Sequence, residues 1–81
     1  MKNKNITGAA VRMYRERLEM SQGQLAAKAQ RAGWDIARDA VAKIEGGVRC
    51  VTDIELMALA GILEVAPSDL LPAGVKKVKR P

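Results

Sequence analysis

Histidine and phenylalanine are absent from this 81-residue sequence, cysteine occurs once, and Tyr14 and Trp34 are its only aromatic residues. Without histidine, zinc sites of the common His/Cys type and imidazole acid–base catalysis are disfavoured. A single thiol, Cys50, excludes a disulfide framework and any multi-cysteine metal site, and agrees with a reducing, cytoplasmic setting. The longest apolar run, "LMALAGIL" at 56–63, is far shorter than the roughly 20 residues that span a bilayer. The basic start "MKNKNITGAAV" meets Arg12 before an apolar signal core forms, so no targeting segment is expected. No nucleophile–base pair, metal cluster or phosphate-cradling glycine loop stands out, which argues against an enzyme and implies no cofactor.

What is present points to one small helical domain. A chain of this length buries roughly 60% of its unfolded surface on folding. At 48% hydrophobic, it has enough Leu, Val, Ile, Met and Ala to build a core without many aromatics. The net charge of +5 is unevenly spread. Residues 1–50 carry ten Lys/Arg against five Asp/Glu. Residues 51–71 carry Asp53, Glu55, Glu64 and Asp69 and no basic residue, and the end of the chain adds Lys76, Lys77, Lys79 and Arg80. Such asymmetry predicts one face toward a polyanion and another turned away from it.

Apolar residues recur at helical spacing almost throughout, and no stretch alternates like a strand. One device recurs: an apolar residue just before a helix packs on the fourth residue inside it. The pairs are Ile6/Val11, Met20/Leu25, Ile36/Val41, Val51/Leu56 and Val65/Leu70, flanking cap positions Thr7, Ser21, Ala37, Thr52 and Ala66. Ser21-x-x-Gln24 and Thr52-x-x-Glu55 add capping boxes. Gly33 and Gly46 fit left-handed positions that end helices two and three. These signals predict a compact all-α bundle of five helices, near 8–18, 22–32, 37–45, 53–63 and 67–71. Residues 1–5 are expected to be a flexible start and 73–81 a basic mobile tail around a domain spanning 6–72.

In "GWDIARDAVAKIEGG" (33–47), Ile36, Ala37, Ala40, Val41 and Ile44 share one helical side, and Arg38, Asp39, Ala42 and Lys43 the other. A short capped helix followed by one with a narrow apolar stripe and a polar, mixed-charge face describes a helix-turn-helix. Here the chain resembles the lambda-repressor-like, Cro-type (XRE) helix-turn-helix family. The matching segments are "VRMYRERLEMSQGQLA" (11–26), "IARDAVAKIEGG" (36–47) and "TDIELMALAGILEVAPSDLL" (52–71), and the likeness runs from residue 6 to 71.

The resemblance implies that Arg38, Asp39, Ala42 and Lys43 face DNA bases. Arg38 and Lys43 suit guanine O6/N7, Asp39 a cytosine amino group and Ala42 a thymine methyl. It implies that Ser21 and Gln22, at a helix start, sit against a DNA phosphate. Arg49 is a further backbone candidate, while Arg12, Lys28 and Arg31 are weaker ones. Arg15 and Glu45 match a structural ion pair between helix one and the end of helix three. The chain departs from the pattern in three ways. The segment between "SQ" and "IE" is about five residues longer than usual, which implies a lengthened second helix and turn. Glu19 and Glu64 stand where the family often has glycine, and Ala37 replaces a hydroxyl cap.

Trp34 is expected to plug the gap over helices two and three, Tyr14 to take a core position, and Met13, Met20 and Met57 to pack. Cys50 is expected to be an inert loop thiol. The function expected is a sequence-specific, double-stranded DNA-binding transcriptional regulator, a bacterial or phage repressor acting as a homodimer at an operator in the nucleoid. Its dimer surface is expected around Ile62, Val65, Leu70 and Leu71. The alternative is a protein-interaction module, such as an antitoxin binding a toxin or a partner of a polymerase subunit, with DNA contact secondary. Membrane binding is not expected, because "KKVKR" lacks an apolar face.

Overall fold

Four helices fold around one aliphatic core in the computed structural model, which describes residues 4–72. They are α1 (Gly8–Arg17), α2 (Gln22–Arg31), α3 (Arg38–Glu45) and α4 (Asp53–Leu63). There is no strand among the described residues. Nor is any helix there long and apolar enough to cross a membrane. The residues expected to form a fifth helix, 67–71, instead make a 3-10 turn, Pro67–Leu70. A four-residue segment that starts with proline has too few N–H groups to propagate an α-helix. Asp69 closes it by accepting the Ala66 N–H at 3.0 Å.

The helix starts follow from local chemistry. Ser21 and Thr52 each accept a hydrogen bond from the third residue of their helix, and Gln24 and Glu55 return one to the cap N–H. The N-caps of α1 and α3 are Thr7 and Ala37, and neither makes a side-chain cap bond. Residues flanking these caps supply part of the core, which the inner sides of α3 and α4 complete. Val11, Leu25, Val41, Ile44, Leu59, Leu63 and Leu70 are fully enclosed, with Met20 and Ile36 beside them. The apolar pair before α1 is incomplete, because Ile6 is exposed.

All four helices close in the same way, on one residue in the left-handed region: Glu19, Gly33, Gly47 and Glu64. At the first, Met20 N–H reaches back to Arg15 carbonyl at 3.1 Å. At the others, Trp34, Val48 and Val65 reach Ala29, Lys43 and Ala60. The paired 6→1 and 5→2 bonds satisfy carbonyls that the helix leaves open. Glycine suits such a site and glutamate strains it. The left-handed residue after α3 is Gly47, one later than expected, because Gly46 keeps helical dihedrals with φ −81°.

The stretch expected to lengthen the second helix and its turn lies partly in the connection, since α2 ends at Arg31 and α3 starts at Arg38. Residues 32–37 run from the α2 cap through Gly33 and the half-buried Trp34 to Ile36. Gln30 Nε2 spans them, donating to Ile36 carbonyl at 2.8 Å. The turn that joins α2 to α3 therefore carries its own internal strut. Asn5, expected in a flexible start, is held instead. Its Oδ1 accepts the N–H groups of Thr7 (3.1 Å) and Gly8 (2.8 Å), and its Nδ2 donates to the carbonyls of Ile44 (3.0 Å) and Arg49 (2.7 Å).

Candidate nucleic-acid interface

The burial of α3 is one-sided. Val41 and Ile44 are buried, Ala40 is half-buried, and Arg38, Asp39, Ala42 and Lys43 are exposed. Ala37, on the apolar side of the sequence pattern, is also exposed as the cap. No hydrogen bond or ion pair engages the side chains of Arg38, Asp39 or Lys43 among the described residues, although Asp39 and Lys43 are spaced to pair along the helix. The face thus offers two cations and one carboxylate around a flat centre at Ala42.

The end of α3 is braced from beneath. Arg15 of α1 makes a two-pronged pair with Glu45, Nε to Oε2 at 2.6 Å and Nη2 to Oε1 at 3.0 Å. Its remaining prong donates to Met20 carbonyl at 2.7 Å. Gln22 Nε2 donates to the same Glu45 carboxylate at 3.0 Å. With side chains only 10% and 4% exposed, Arg15 and Glu45 are shielded from salt and water, so their geometry is firm. The Glu45 hydrogen bonds, opposed in part by burial, hold the Arg15 guanidinium charge above its ordinary pKa. One network joins α1, the start of α2 and the end of α3.

Two features flank the exposed face. On one side lies the α2 start, where Ser21 Oγ accepts Gln24 N–H at 3.0 Å. Gly23 has no side chain there, and the Arg38 stem passes where one would begin: its Cδ is 3.7 Å from the Cβ position. The first N–H groups of α2 therefore open beside Arg38. On the other side a hollow of about 560 Å³ is lined by Lys4, Asp39, Lys43, Val48, Arg49 and Cys50.

Arg49 is less free than the sequence implied. Nη1 and Nη2 grip Glu55 at 3.1 and 3.0 Å, and Nη1 also reaches Cys50 carbonyl. That grip pulls the Glu55 carboxyl below its usual range, with burial opposing. Sequence reasoning missed this pair and the Asn5 clamp. Neither has a periodic signal, since both join a loop to a distant backbone or cap. Met13 and Met57, expected to pack, are exposed.

Compared with known protein families, residues 11–70 match a helix-turn-helix family. The chain belongs to the helix-turn-helix family. Two solved structures resemble this helix-turn-helix protein. The P22 c2 repressor protein, crystallised with the synthetic operator 9T in the presence of Tl+, superimposes with a TM-score of 0.69. It is 22% identical over 83% of this chain and 94% of that one. The restriction-modification controller protein C.AhdI from Aeromonas hydrophila has a TM-score of 0.67 and 29% identity. That match covers 80% of this chain and 87% of the controller. The fold is thus lambda-repressor-like. Comparison with curated protein sequences returned no match.

Proposed function

We propose that this chain is a transcriptional regulator that binds double-stranded DNA sequence-specifically, with α3 in the major groove, and that it acts as a repressor. One observation carries the reading: Arg38, Asp39 and Lys43 stand exposed, and without a side-chain partner among the described residues, on a helix whose end is anchored by a buried network. Unpaired charges on a rigid helix are what base-edge recognition requires, since each good two-pronged contact discriminates by about 1–3 kcal/mol. Ala42 between them lets the helix approach closely. The P22 c2 repressor, of similar fold, was crystallised with an operator.

In this reading the α2 start binds a phosphate through Ser21 and its first backbone N–H groups. Gln22 contributes its N–H and braces Glu45 with its side chain. Arg49, tied to Glu55 and half-buried, shapes the rim and neutralises a nearby phosphate only in part. Two copies on a two-fold operator set their recognition helices ~34 Å apart. A cytoplasmic location follows from that target.

Selection from random-sequence duplexes tests the reading, with Arg38→Ala and Lys43→Ala run beside the parent. A defined motif is expected, with preference lost at a different position in each variant. Affinity is expected to fall with salt by about 0.9 log units per log unit for each phosphate contacted. Identical motifs from all three proteins would overturn the assignment of α3.

A further inference from the structure

We propose that Asn5 is a positioning residue for base reading: with Gly8 it sets the end of α3, and so Ala42 and Lys43, where DNA recognition needs them. The proposal rests on the function proposed above and names a residue that acts through α3 without touching DNA. α3 has only eight residues, and a helix that short is marginal in water unless the rest of the fold holds it. A helix also leaves its last carbonyls without partners of its own. The segment before α1 reaches across to this end. Asn5 Nδ2 donates to the Ile44 carbonyl at 3.0 Å and to the Arg49 carbonyl at 2.7 Å. Beside it, the Lys4 N–H donates to the Gly47 carbonyl at 2.7 Å.

The other half of the same amide caps α1. Asn5 Oδ1 accepts the N–H groups of Thr7 (3.1 Å) and Gly8 (2.8 Å), while the Thr7 side chain makes no cap bond. An amide has two N–H donors and two acceptor lone pairs. Asn5 uses all four on backbone groups, so none is left for DNA. Gly8 lets the two helices come close enough for one side chain to bridge them. It is buried, and a Cβ there would overlap the Ile44 carbonyl oxygen and lie 2.9 Å from that of Glu45. The Arg15–Glu45 pair fixes a side chain at this end of α3, whereas Asn5 fixes the backbone. A backbone shift at Ile44 carries Lys43 and Ala42 with it, since they directly precede it. Recognition side chains must hold their geometry to within roughly 0.5 Å.

Discrimination tests this: the full chain's affinity for a duplex selected by the parent, divided by its affinity for a scrambled duplex at the same salt. Circular dichroism of the same samples checks the fold. Lost stability alone lowers the folded fraction and scales both affinities equally, so it leaves the ratio alone; a displaced α3 moves it. Asn5→Asp separates the two halves of the amide. Its carboxylate still accepts the Thr7 and Gly8 N–H groups, at a helix start that favours negative charge, but has no donor for Ile44 and Arg49. The variant is expected to keep its helix content and to lower the ratio at least about tenfold. Gly8→Ala leaves Asn5 in place and presses on the Ile44 carbonyl, so it is expected to lower the ratio too, and it carries the test if Asn5→Asp loses the fold. Leu63→Val, a core change in α4, is expected to lower the melting temperature and leave the ratio as it was. An unchanged ratio in folded Asn5→Asp would overturn the proposal and leave the proposed function standing, as would an equal drop in Leu63→Val. A parent from which selection yields no preferred duplex would overturn both.

Discussion

The outer faces of α3 and α4 differ in kind although both helices pack one side on the same core. On α3 the outward residues are charged, without a side-chain partner among the described residues, and centred on alanine; on α4 they are Ile54, Met57 and Gly61. The support beneath differs as well. The α3 end is tied by Arg15, Gln22 and Asn5 to α1, the start of α2 and the segment before α1, whereas Leu59, Ala60 and Leu63 seat α4 by packing. A face that reads base edges must be held within a fraction of an ångström, and directional hydrogen bonds do that better than oil-like contacts. A face that meets another apolar face needs mainly shape.

The contrast can be broken most severely from below α3. Glu45→Ala leaves the enclosed Arg15 guanidinium without its partner and is expected to cost ~3–5 kcal/mol, read by chemical denaturation. Asn5→Ala removes four hydrogen bonds, two of them to carbonyls at and beyond the end of α3. It is expected to cost about 2–3 kcal/mol. The exposed faces behave differently. Arg38→Ala and Lys43→Ala are expected to leave stability within about 0.5 kcal/mol while each weakens DNA binding by about 1–3 kcal/mol.

Smaller effects sharpen the picture at the ends of the helices. Glu64→Gly relieves a left-handed glutamate at the close of α4 and is expected to stabilise the fold by about 0.5–1 kcal/mol, seen as a raised melting temperature. Smallest is a pH effect at the loop between the two helices. Arg49 lowers the Glu55 pKa in the fold, so the pair stabilises above the ordinary glutamate value near pH 4.3. That contribution fades as pH falls through the lower folded value. Glu55→Gln is therefore expected to flatten the acid limb of a stability-against-pH curve below about pH 4.

Much of this contrast was legible in the sequence because it is local. Each of the five caps follows an apolar residue spaced five positions from another, and only Ile6 of these five is left exposed; a helix start depends on few neighbours. The one-sided pattern of residues 36–44 likewise needs nothing beyond its own spacing. What stayed hidden is non-local or turns on one residue. Asn5 works through carbonyls 39 and 44 positions away, and nothing in "NKNITG" announces such partners. Gly46 and Gly47 are adjacent, and only the Val48-to-Lys43 hydrogen bond decides which one turns left-handed. The apolar run of α4 gave no sign of which side would remain uncovered, since it is apolar on both.

Ala42→Glu tests the central claim most directly, because it adds a carboxylate to the middle of the α3 face and touches nothing underneath. Melting and duplex-DNA titration of the same samples should show an unchanged transition and an affinity lower by at least about tenfold, or 1.4 kcal/mol. Undiminished DNA affinity in a folded Ala42→Glu protein would contradict the account.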